Sequence, residues 1–273
     1  MDPLYIVLIA AVIVIIVVIV VVVPKRHEPM FCIMITGKDK CREHMAKQSV
    51  VNFLEQDYQD KTLVILNHSA DYVVKTQQDH LENVYEFYID KDSDKDPLTL
   101  GDMRNIGLAM VPPNAVWTTW DDDDYRKPTY LSTMMRAMQS ANADVLCFTK
   151  RLEYNTNTGL VWGMSLDTGF PLVFAKQDMR ILYEKLDKME DTNLISRAKE
   201  LGLKVKIYKN DPHLYVRMVH TNNTSLYVNP AKSSIQSGSK SSPYREYNID
   251  DVTRNCVNTF MSTYFKKGIE CHG

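Results

Sequence analysis

Hydrophobic and polar positions alternate along this chain in two patterns. Short apolar runs predict strands buried on both faces of a sheet, over 30–36, 62–66, 84–89, 115–120, 144–149 and 204–208. Between them, apolar residues recur every three or four positions, which predicts amphipathic helices over 41–58, 98–110, 128–140 and 188–201. This alternation indicates an α/β fold with a mostly parallel, Rossmann-like sheet flanked by helices.

The N-terminus shows a third pattern. Residues Leu4 to Val23 are uncharged and almost wholly aliphatic, and as a helix they would span the roughly 30 Å hydrocarbon core of a bilayer. The segment lacks the features of a cleaved signal peptide, so it predicts one N-terminal transmembrane helix. Lys25 and Arg26 follow the span and Asp2 precedes it, so the positive-inside rule predicts a single-pass protein whose main domain is cytosolic.

The C-terminal part changes composition again. The stretch 230–243 is rich in Ser, Lys and Gly, which predicts a flexible segment, and a short helix is expected around 252–265. The region 151–175 mixes turns with aromatic residues. We therefore expect an anchor with a short stalk over 1–29, one globular domain over 30–229, and a flexible Ser-rich segment with a tail over 230–273.

Charge and cysteine content narrow the class of protein. The net charge is −2 and the pI is about 6.4, and no basic stripe is interleaved with aromatic residues, so nucleic-acid binding is not expected. The five cysteines are scattered and form no CxxC pair. They predict free thiols in a reducing compartment, which agrees with a cytosolic domain.

Polar residues follow three of the predicted strands. These clusters are 36–39, 67–71 and 121–124. Ligands of parallel sheets bind beyond the carboxyl ends of the strands, so the clusters are expected along one edge, where they could receive a nucleotide. Thr36, Lys38 and Asn67 are therefore candidate ligand-binding residues.

Four consecutive aspartates, Asp121 to Asp124, make the last of these clusters the most highly charged. Adjacent carboxylates repel one another, so a divalent cation or basic side chains should neutralise them. Oxygen ligands favour Mg²⁺ or Mn²⁺, which keep open positions for substrate phosphates. The chain has no P-loop and no GxGxxG, so a metal would do the phosphate binding. A solvated acidic turn is the alternative.

Four segments together resemble the GT-A glycosyltransferases, in particular the inverting enzymes of family 2. They match its opening strand with the following S-(I/V)-x-x-(I/V)-x-x-Q-x-Y stretch, its R-N-x-G and D-x-D-D motifs, its E-D pair, and its H-x-x-N-x-S segment. In this chain, Ile35–Asp39 and Gln48–Tyr58 match the opening strand and the stretch after it. Gly101–Gly107 contains the R-N-x-G motif and Trp120–Tyr125 the D-x-D-D motif. Met189–Asp191 contains the E-D pair, and Val219–Ser225 matches the H-x-x-N-x-S segment. The resemblance covers about 31–225.

The resemblance implies a role for each matched position. Asp121 and Asp122 would lie in the donor site, with Asp121 against the nucleoside, and Arg104 would lie near the donor. Asp123 would bind a Mn²⁺ or Mg²⁺ ion that bridges the donor diphosphate, and His220 would be a further metal contact. In the register of this motif, Asp122 is also expected to support the turn together with the fourth aspartate.

The resemblance also implies the reaction. Asp191 would be the general base that takes a proton from the acceptor hydroxyl, and a single displacement would invert the anomeric centre. The partners would be a nucleotide-sugar donor and a glycan, protein or lipid acceptor. The chain lacks the Q-x-x-R-W signature of processive enzymes, so non-processive transfer is expected. The loop 67–71 lacks the paired acids of many relatives, which leaves the nucleotide open.

Several alternatives stay open at this point. Glu190 and Asp191 could cap a helix N-terminus, and His220 could be an ordinary polar residue. Trp162 and Phe170 could stack on a sugar ring, although packing is favoured. For the whole protein, the alternatives are a catalytically inactive nucleotide-sugar or glycan-binding membrane protein and, less favoured, a nucleotidyltransferase.

Overall fold

The computed structural model describes residues 28–75, 82–90, 97–156, 158–220, 244–246, 253–255 and 257–258. The larger sheet contains β1 (Met30–Ile35), β2 (Lys61–Asn67), β3 (Val84–Tyr88), β4 (Val116–Thr119), β6 (Val145–Phe148), β9 (Val173–Lys176) and β10 (Val205–Tyr208). The smaller sheet contains β5 (Tyr125–Arg126), β7 (Lys150–Asn155), β8 (Val161–Ser165), β11 (Tyr215–Val219) and β12 (Tyr244–Glu246). The α-helices are α1 (Glu43–Leu54), α2 (Leu100–Ala109), α3 (Tyr130–Ser140) and α4 (Leu194–Glu200), and 3₁₀ turns cover Lys40–Arg42 and Pro212–Leu214.

The larger sheet has the strand order β10-β6-β9-β4-β1-β2-β3. Strand β1 pairs in parallel with β2 and with β4, and β2 pairs in parallel with β3. Strand β10 pairs in parallel with β6. Strand β9 lies between β4 and β6 and is antiparallel to both. Cys32 lies opposite Leu63 of β2 and Thr118 of β4. The predicted mostly parallel α/β sheet is therefore confirmed, and the carboxyl ends of β1, β2 and β4 lie side by side.

Helices cover both faces of this sheet. On one face, Phe53 of α1 and Met134 of α3 belong to the same buried cluster as Cys32 of β1. On the other face, Leu108 of α2 and Leu194 of α4 join the cluster of Ile33, the next residue of β1. Successive residues of a strand point to opposite faces, so a strand covered on both sides must be apolar throughout. This explains the uninterrupted hydrophobic runs in the sequence.

The region 151–175 differs from its prediction, because it holds strands β7, β8 and the start of β9. The smaller sheet has the order β12-β8-β7-β11-β5, and β7 is central to it, pairing with both β8 and β11. Strand β7 alternates the polar residues Arg151, Glu153 and Asn155 with Leu152 and Tyr154, and Glu153 and Asn155 are buried. These polar side chains hide the strand from a search for apolar runs, while pairing on both sides stabilises it.

The helix predicted over 188–201 is much shorter, since α4 begins at Leu194 with Asn193 at the N-cap position. Met189 has a φ of 62°, in the left-handed region that an α-helix cannot contain. Residues 190 and 191 therefore lie on a turn before the helix. The alternative that this acidic pair caps a helix N-terminus is wrong.

The structure bears in part on two further expectations, the free thiols and the membrane span. Cys32 and Cys147 are free and buried, and burial raises the pKa of each thiol to about 12. Within the described ranges, no helix combines the length and the hydropathy needed to cross a membrane. The predicted span Leu4–Val23 and the Ser-rich stretch 230–243 lie outside those ranges. The anchor and the three-part division of the chain stay predictions.

Candidate active site

The three polar clusters predicted at strand ends do come together. The Thr36 hydroxyl donates to Oδ1 of Asn67 over 2.9 Å, which joins the ends of β1 and β2. The backbone N–H of Gly37 donates to Oδ2 of Asp122 over 2.8 Å, which joins β1 to the aspartates after β4. Thr36 and Asn67 are buried and Lys38 is exposed on the turn after β1. The expectation of one shared edge is confirmed.

The aspartate run contacts a different set of neighbours at each residue. Asp121 is the most open, with 34% of its side chain exposed, and its Oδ2 lies 3.7 Å from Nη2 of Arg126. Arg126 is fully buried, and its guanidinium stacks on the ring of Trp120 at 4.2 Å. A buried cation beneath Asp121 compensates its charge and holds it at the surface of the site.

Asp122 and Asp123 share one arginine. Nη2 of Arg42 donates to Oδ2 of Asp123 over 2.9 Å and also contacts Oδ1 of Asp122. On its other side, Oδ2 of Asp123 lies 3.0 Å from Nε2 of His220. Burial alone would raise the pKa of Asp123, but the charge of Arg42 and the His220 contact outweigh it and lower that pKa. Asp123 is therefore ionised.

Asp124 points into the protein. It accepts hydrogen bonds from the Tyr215 hydroxyl and, over 2.8 Å, from the backbone N–H of Met218, both on β11. Burial raises the pKa of Asp124 to about 7. Asp122 and Asp124 are each 3% exposed, so both carboxylates are bound within the fold. This agrees with the expectation that these two support the turn.

Helix α1 fixes the backbone of the acidic loop with buried polar side chains. The Ser49 hydroxyl donates to the carbonyl of Asp121 over 3.0 Å. Asn52 donates to the carbonyl of Arg126 over 2.7 Å and accepts from its N–H over 2.9 Å. Gln56 donates to the carbonyl of Lys127 over 3.0 Å. Ser49 and Asn52 lie three positions apart on α1, and Gln56 lies two residues beyond the end of this helix, so the loop is tied to α1 and to the turn that follows it.

The R-N-x-G segment on α2 has a separate contact for each of its defining residues. Arg104 stacks over the ring of Tyr183 at 5.1 Å. Asn105 exchanges two hydrogen bonds with the backbone of Tyr183, at 2.8 and 3.0 Å. A Cβ added to Gly107 would lie 2.4 Å from Cγ2 of Ile33, so glycine allows α2 to pack tightly on β1. The segment therefore positions Arg104 between the sheet and the turn that precedes α4.

Arg104 connects that turn to the acidic loop. Its Nη2 lies 3.0 Å from Oε1 of Glu190 and 4.0 Å from Oδ1 of Asp121. Glu190 is 5% exposed, and burial raises its pKa. Asp191, the predicted base, is partly exposed on the same turn. The acidic pair thus has one buried carboxylate bound to Arg104 and one that is partly exposed.

A cleft opens beside this edge of the sheet. Its volume is about 640 Å³, a size typical of small-molecule sites. The lining mixes aromatic and polar side chains, among them Asn67, Ser69, Tyr72, Lys75, Tyr85 and Phe87. The Tyr72 hydroxyl also donates to the carbonyl of Gly37, so the cleft borders the turn after β1.

The side chains present allow a test of the predicted metal. In the described part of the chain, no group of three or more His, Cys, Asp or Glu side chains is arranged to hold a metal ion. Asp123 and His220 offer one carboxylate oxygen and one imidazole nitrogen, 3.0 Å apart. Mg²⁺ and related ions are commonly held by one or two protein ligands together with substrate phosphates. The pair therefore fits a cation that the donor helps to bind.

Comparison with known proteins gives matches among solved structures. No family model matches the chain, and no curated protein does. S. aureus TarS residues 1–349 in complex with UDP-GlcNAc aligns with a TM-score of 0.56 and 13% identity, over 89% of this chain and 76% of that chain. S. aureus TarS aligns with a TM-score of 0.54 and 15% identity, over 70% of this chain and 37% of that chain. The complex of TarS 1–349 with UDP aligns with a TM-score of 0.53 and 15% identity, over 70% of this chain and 60% of that chain. The chain thus spans less than two thirds of two of these TarS chains.

TarS is a glycosyltransferase. This chain has the GT-A glycosyltransferase fold. Its mostly parallel sheet and the acidic loop after β4 agree with the resemblance found in the sequence. At these identities the likeness establishes the fold alone.

Most residues predicted for the GT-A site meet at one place. Arg104 lies 4.0 Å from Asp121, while Arg42 contacts Asp122 and His220 contacts Asp123 on the same loop. Thr36 and Asn67 lie at the same edge, but their side chains are buried and bond to each other. Lys38 is exposed nearby. The roles assigned to these residues and to Asp191 stay predictions.

Three site residues were missed by sequence reasoning. Arg42 pairs with two aspartates from a 3₁₀ turn about 80 positions away, Arg126 stacks beneath the loop, and Tyr215 donates to Asp124 from β11. Of these, only Arg126 had a local signal, since it lies two positions after the acidic run. Phe170, a candidate for sugar stacking, is buried against Phe148 at 5.6 Å, so the packing interpretation is confirmed for it.

Proposed function

We propose that this chain is a glycosyltransferase that moves a sugar from a nucleotide-sugar donor to an acceptor hydroxyl with inversion. The observation that carries the proposal is the convergence of four distant segments. Arg104 lies 4.0 Å from Asp121 and 3.0 Å from Glu190, and His220 lies 3.0 Å from Asp123. These segments belong to α2, the loop after β4, the turn before α4, and the end of β11.

Donor binding is proposed for the edge formed by β1, β2 and β4. The 640 Å³ cleft would receive part of the donor beside Asn67, and Asp121, the most open of the four aspartates, would contact the nucleoside from the end of β4. Asp123 and His220 would hold Mn²⁺ or Mg²⁺, which would offset the charge on the departing diphosphate. TarS is solved with UDP and UDP-GlcNAc, so uridine donors are the first to test.

The acidic pair is proposed to divide two tasks. Glu190 pairs with Arg104 and fixes its position beside Asp121. Asp191 is partly exposed and would accept the proton of the acceptor hydroxyl. As that proton leaves, the hydroxyl oxygen bonds to the anomeric carbon and the nucleoside diphosphate departs with the bonding electrons. Attack from the opposite face inverts the anomeric centre.

The setting of the reaction is also proposed. Leu4 to Val23 would anchor the chain by a single span, and the domain that follows would lie in the cytosol. The acceptor would be a glycan, a protein or a lipid that reaches this surface. No second group of long apolar segments occurs in the sequence to form a polymer channel, which favours non-processive transfer.

A donor panel tests the proposal. The full chain in detergent micelles, with Mn²⁺, should release nucleoside diphosphate from at least one of a set of UDP-, GDP-, ADP-, dTDP- and CMP-linked sugars, the last scored as CMP. Chelation with EDTA should stop the release. No release from any donor, with or without mixed glycan and lipid acceptors, would favour a binding protein without turnover.

The metal assignment has its own test. Asp123→Ala should weaken Mn²⁺-dependent binding of the best donor by about tenfold or more, because it removes one of only two proposed protein ligands. Calorimetric titration of the full chain with that donor measures the change. Unchanged binding would place the metal elsewhere.

A further inference from the structure

The guanidinium of Arg42 lies between two of the aspartates. Arg42 ends the 3₁₀ turn after β1, and 12% of its side chain is exposed. Its Nε lies 3.3 Å from Oδ2 of Asp122, and its Nη2 contacts Oδ1 of Asp122 and lies 2.9 Å from Oδ2 of Asp123. One arginine thus binds both carboxylates with its fork of donors.

Gly37 makes room for the Arg42 side chain. A Cβ added to Gly37 would lie 1.9 Å from Cδ and 2.2 Å from Nε of Arg42, so the stem of the arginine crosses directly over the glycine. The N–H of Gly37 donates to the same Oδ2 of Asp122 that Arg42 contacts. The turn after β1 therefore provides a shaped place for this guanidinium.

The arginine binds the same oxygen of Asp123 that contacts His220. Oδ2 of Asp123 lies 2.9 Å from Nη2 of Arg42 and 3.0 Å from Nε2 of His220. A cation bound to Asp123 and His220 would approach both ligand atoms to about 2.0–2.2 Å, and would then stand beside a positive charge. Because like charges disfavour one another at this distance, Arg42 and the cation cannot both be bound strongly at that oxygen. A donor diphosphate would give Arg42 an alternative partner, since phosphate oxygens accept two hydrogen bonds from one guanidinium group.

We propose that Arg42 and the divalent cation compete for Asp123. In the free protein Arg42 neutralises the carboxylate, and the cation enters together with the donor, whose diphosphate oxygens then accept the released guanidinium. Arg42 is thereby a donor-binding residue that makes metal binding depend on the donor. The inference rests on the proposed function, because it takes Asp123 and His220 as the cation ligands.

Mn²⁺ binding to the full chain without nucleotide tests the competition. The electron paramagnetic resonance signal of free Mn²⁺ falls as the ion binds, so it reports affinity without any turnover. Arg42→Gln should bind Mn²⁺ at least about tenfold more tightly than the wild type, because the competing charge is gone. Gly37→Ala should also tighten binding, because its methyl group displaces the arginine while the charge stays in the chain.

Two controls make the result specific. Adding Asp123→Asn to Arg42→Gln should abolish the tighter binding, which ties it to that carboxylate. Arg180→Gln removes an exposed arginine that pairs with Asp178, and it should leave Mn²⁺ affinity unchanged. Circular dichroism checks that each variant is folded. Gly37→Ala keeps the test valid if Arg42→Gln fails to fold.

The inference is overturned if folded Gly37→Ala, and Arg42→Gln where it folds, bind Mn²⁺ no more tightly than the wild type. It is also overturned if the tighter binding survives Asp123→Asn. Failure of the proposed function gives a different result. If the variants bind Mn²⁺ more tightly but no donor is cleaved, the competition is supported and the transfer activity is contradicted. If transfer occurs but the variants bind Mn²⁺ no more tightly, the transfer activity is supported and the competition is contradicted.

Discussion

Arg104 joins the two acidic parts of the site. Its guanidinium lies 3.0 Å from Glu190 and 4.0 Å from Asp121, and it stacks over Tyr183. Only 14% of the side chain is exposed, so its partners determine where it points. A cation shared in this way sets the distance between the acidic loop and the turn that carries Asp191.

Glu190→Gln tests that positioning role. The substitution keeps the shape of the side chain but removes the charge that holds Arg104, so turnover should fall on the order of tenfold to a hundredfold without vanishing. The pH profile of kcat/KM should keep its form, because the proposed base is still present. Glu200→Gln, at an exposed position on α4, is the matched control. Equal activity of both variants would contradict the role of Glu190.

The sequence could predict some residues of the site and not others. Asp123 and Asp191 could be proposed as site residues because their motifs are local, with the defining residues within a few positions of one another. Arg42 was not, since only folding brings it to Asp122, about 80 positions away. Glu190 and Asp191 were predicted as a pair, without a difference in burial. In the structure Met189 has a φ of 62°, and on the turn that follows it Glu190 is buried while Asp191 is partly exposed.

Helix α1 and the turn that follows it fix the acidic loop. The side chains of Ser49, Asn52 and Gln56 all hydrogen-bond to backbone groups of residues 121–131. Buried amides such as these bond the loop in one conformation, because an unpaired polar group inside the protein is costly. The loop is therefore positioned before any ligand binds.

Gln56→Ala should lower the free energy of unfolding by about 1–3 kcal/mol, because it leaves the buried N–H of Leu131 without its acceptor and removes one of the two hydrogen bonds to the carbonyl of Lys127. Gln59→Ala is the matched control, since Gln59 is exposed, and it should change the free energy by no more than about 0.5 kcal/mol. Urea denaturation of the full chain in the same detergent measures both. Equal destabilisation by the two variants would contradict the role of Gln56 in fixing the loop.

At the scale of elements, the strands of the larger sheet were mostly predictable. Runs such as that of β1 are apolar because helices cover both faces of the sheet. The smaller sheet was missed, because β7 and β11 carry charged residues and β5 has two residues. Their stability comes from pairing between segments far apart in sequence, as between Arg217 and Glu153, which no local pattern contains.

At the scale of the whole molecule, the chain combines a GT-A domain with a predicted membrane anchor. Lys25 and Arg26 follow the apolar segment, and the buried free thiols of Cys32 and Cys147 suit a reducing compartment. Protease added outside sealed, right-side-out vesicles should leave the domain intact, whereas opening the vesicles should permit its digestion. Digestion in sealed vesicles would contradict the cytosolic orientation.

Turnover by Asp191→Asn, measured together with its donor affinity, tests the central claim most directly. The amide keeps the shape of the carboxylate but cannot accept the acceptor's proton. The full chain carrying this change should bind the best donor with unchanged affinity and give no detectable transfer to an acceptor. Transfer at the wild-type rate, with donor binding intact, would contradict the assignment of Asp191 as the base.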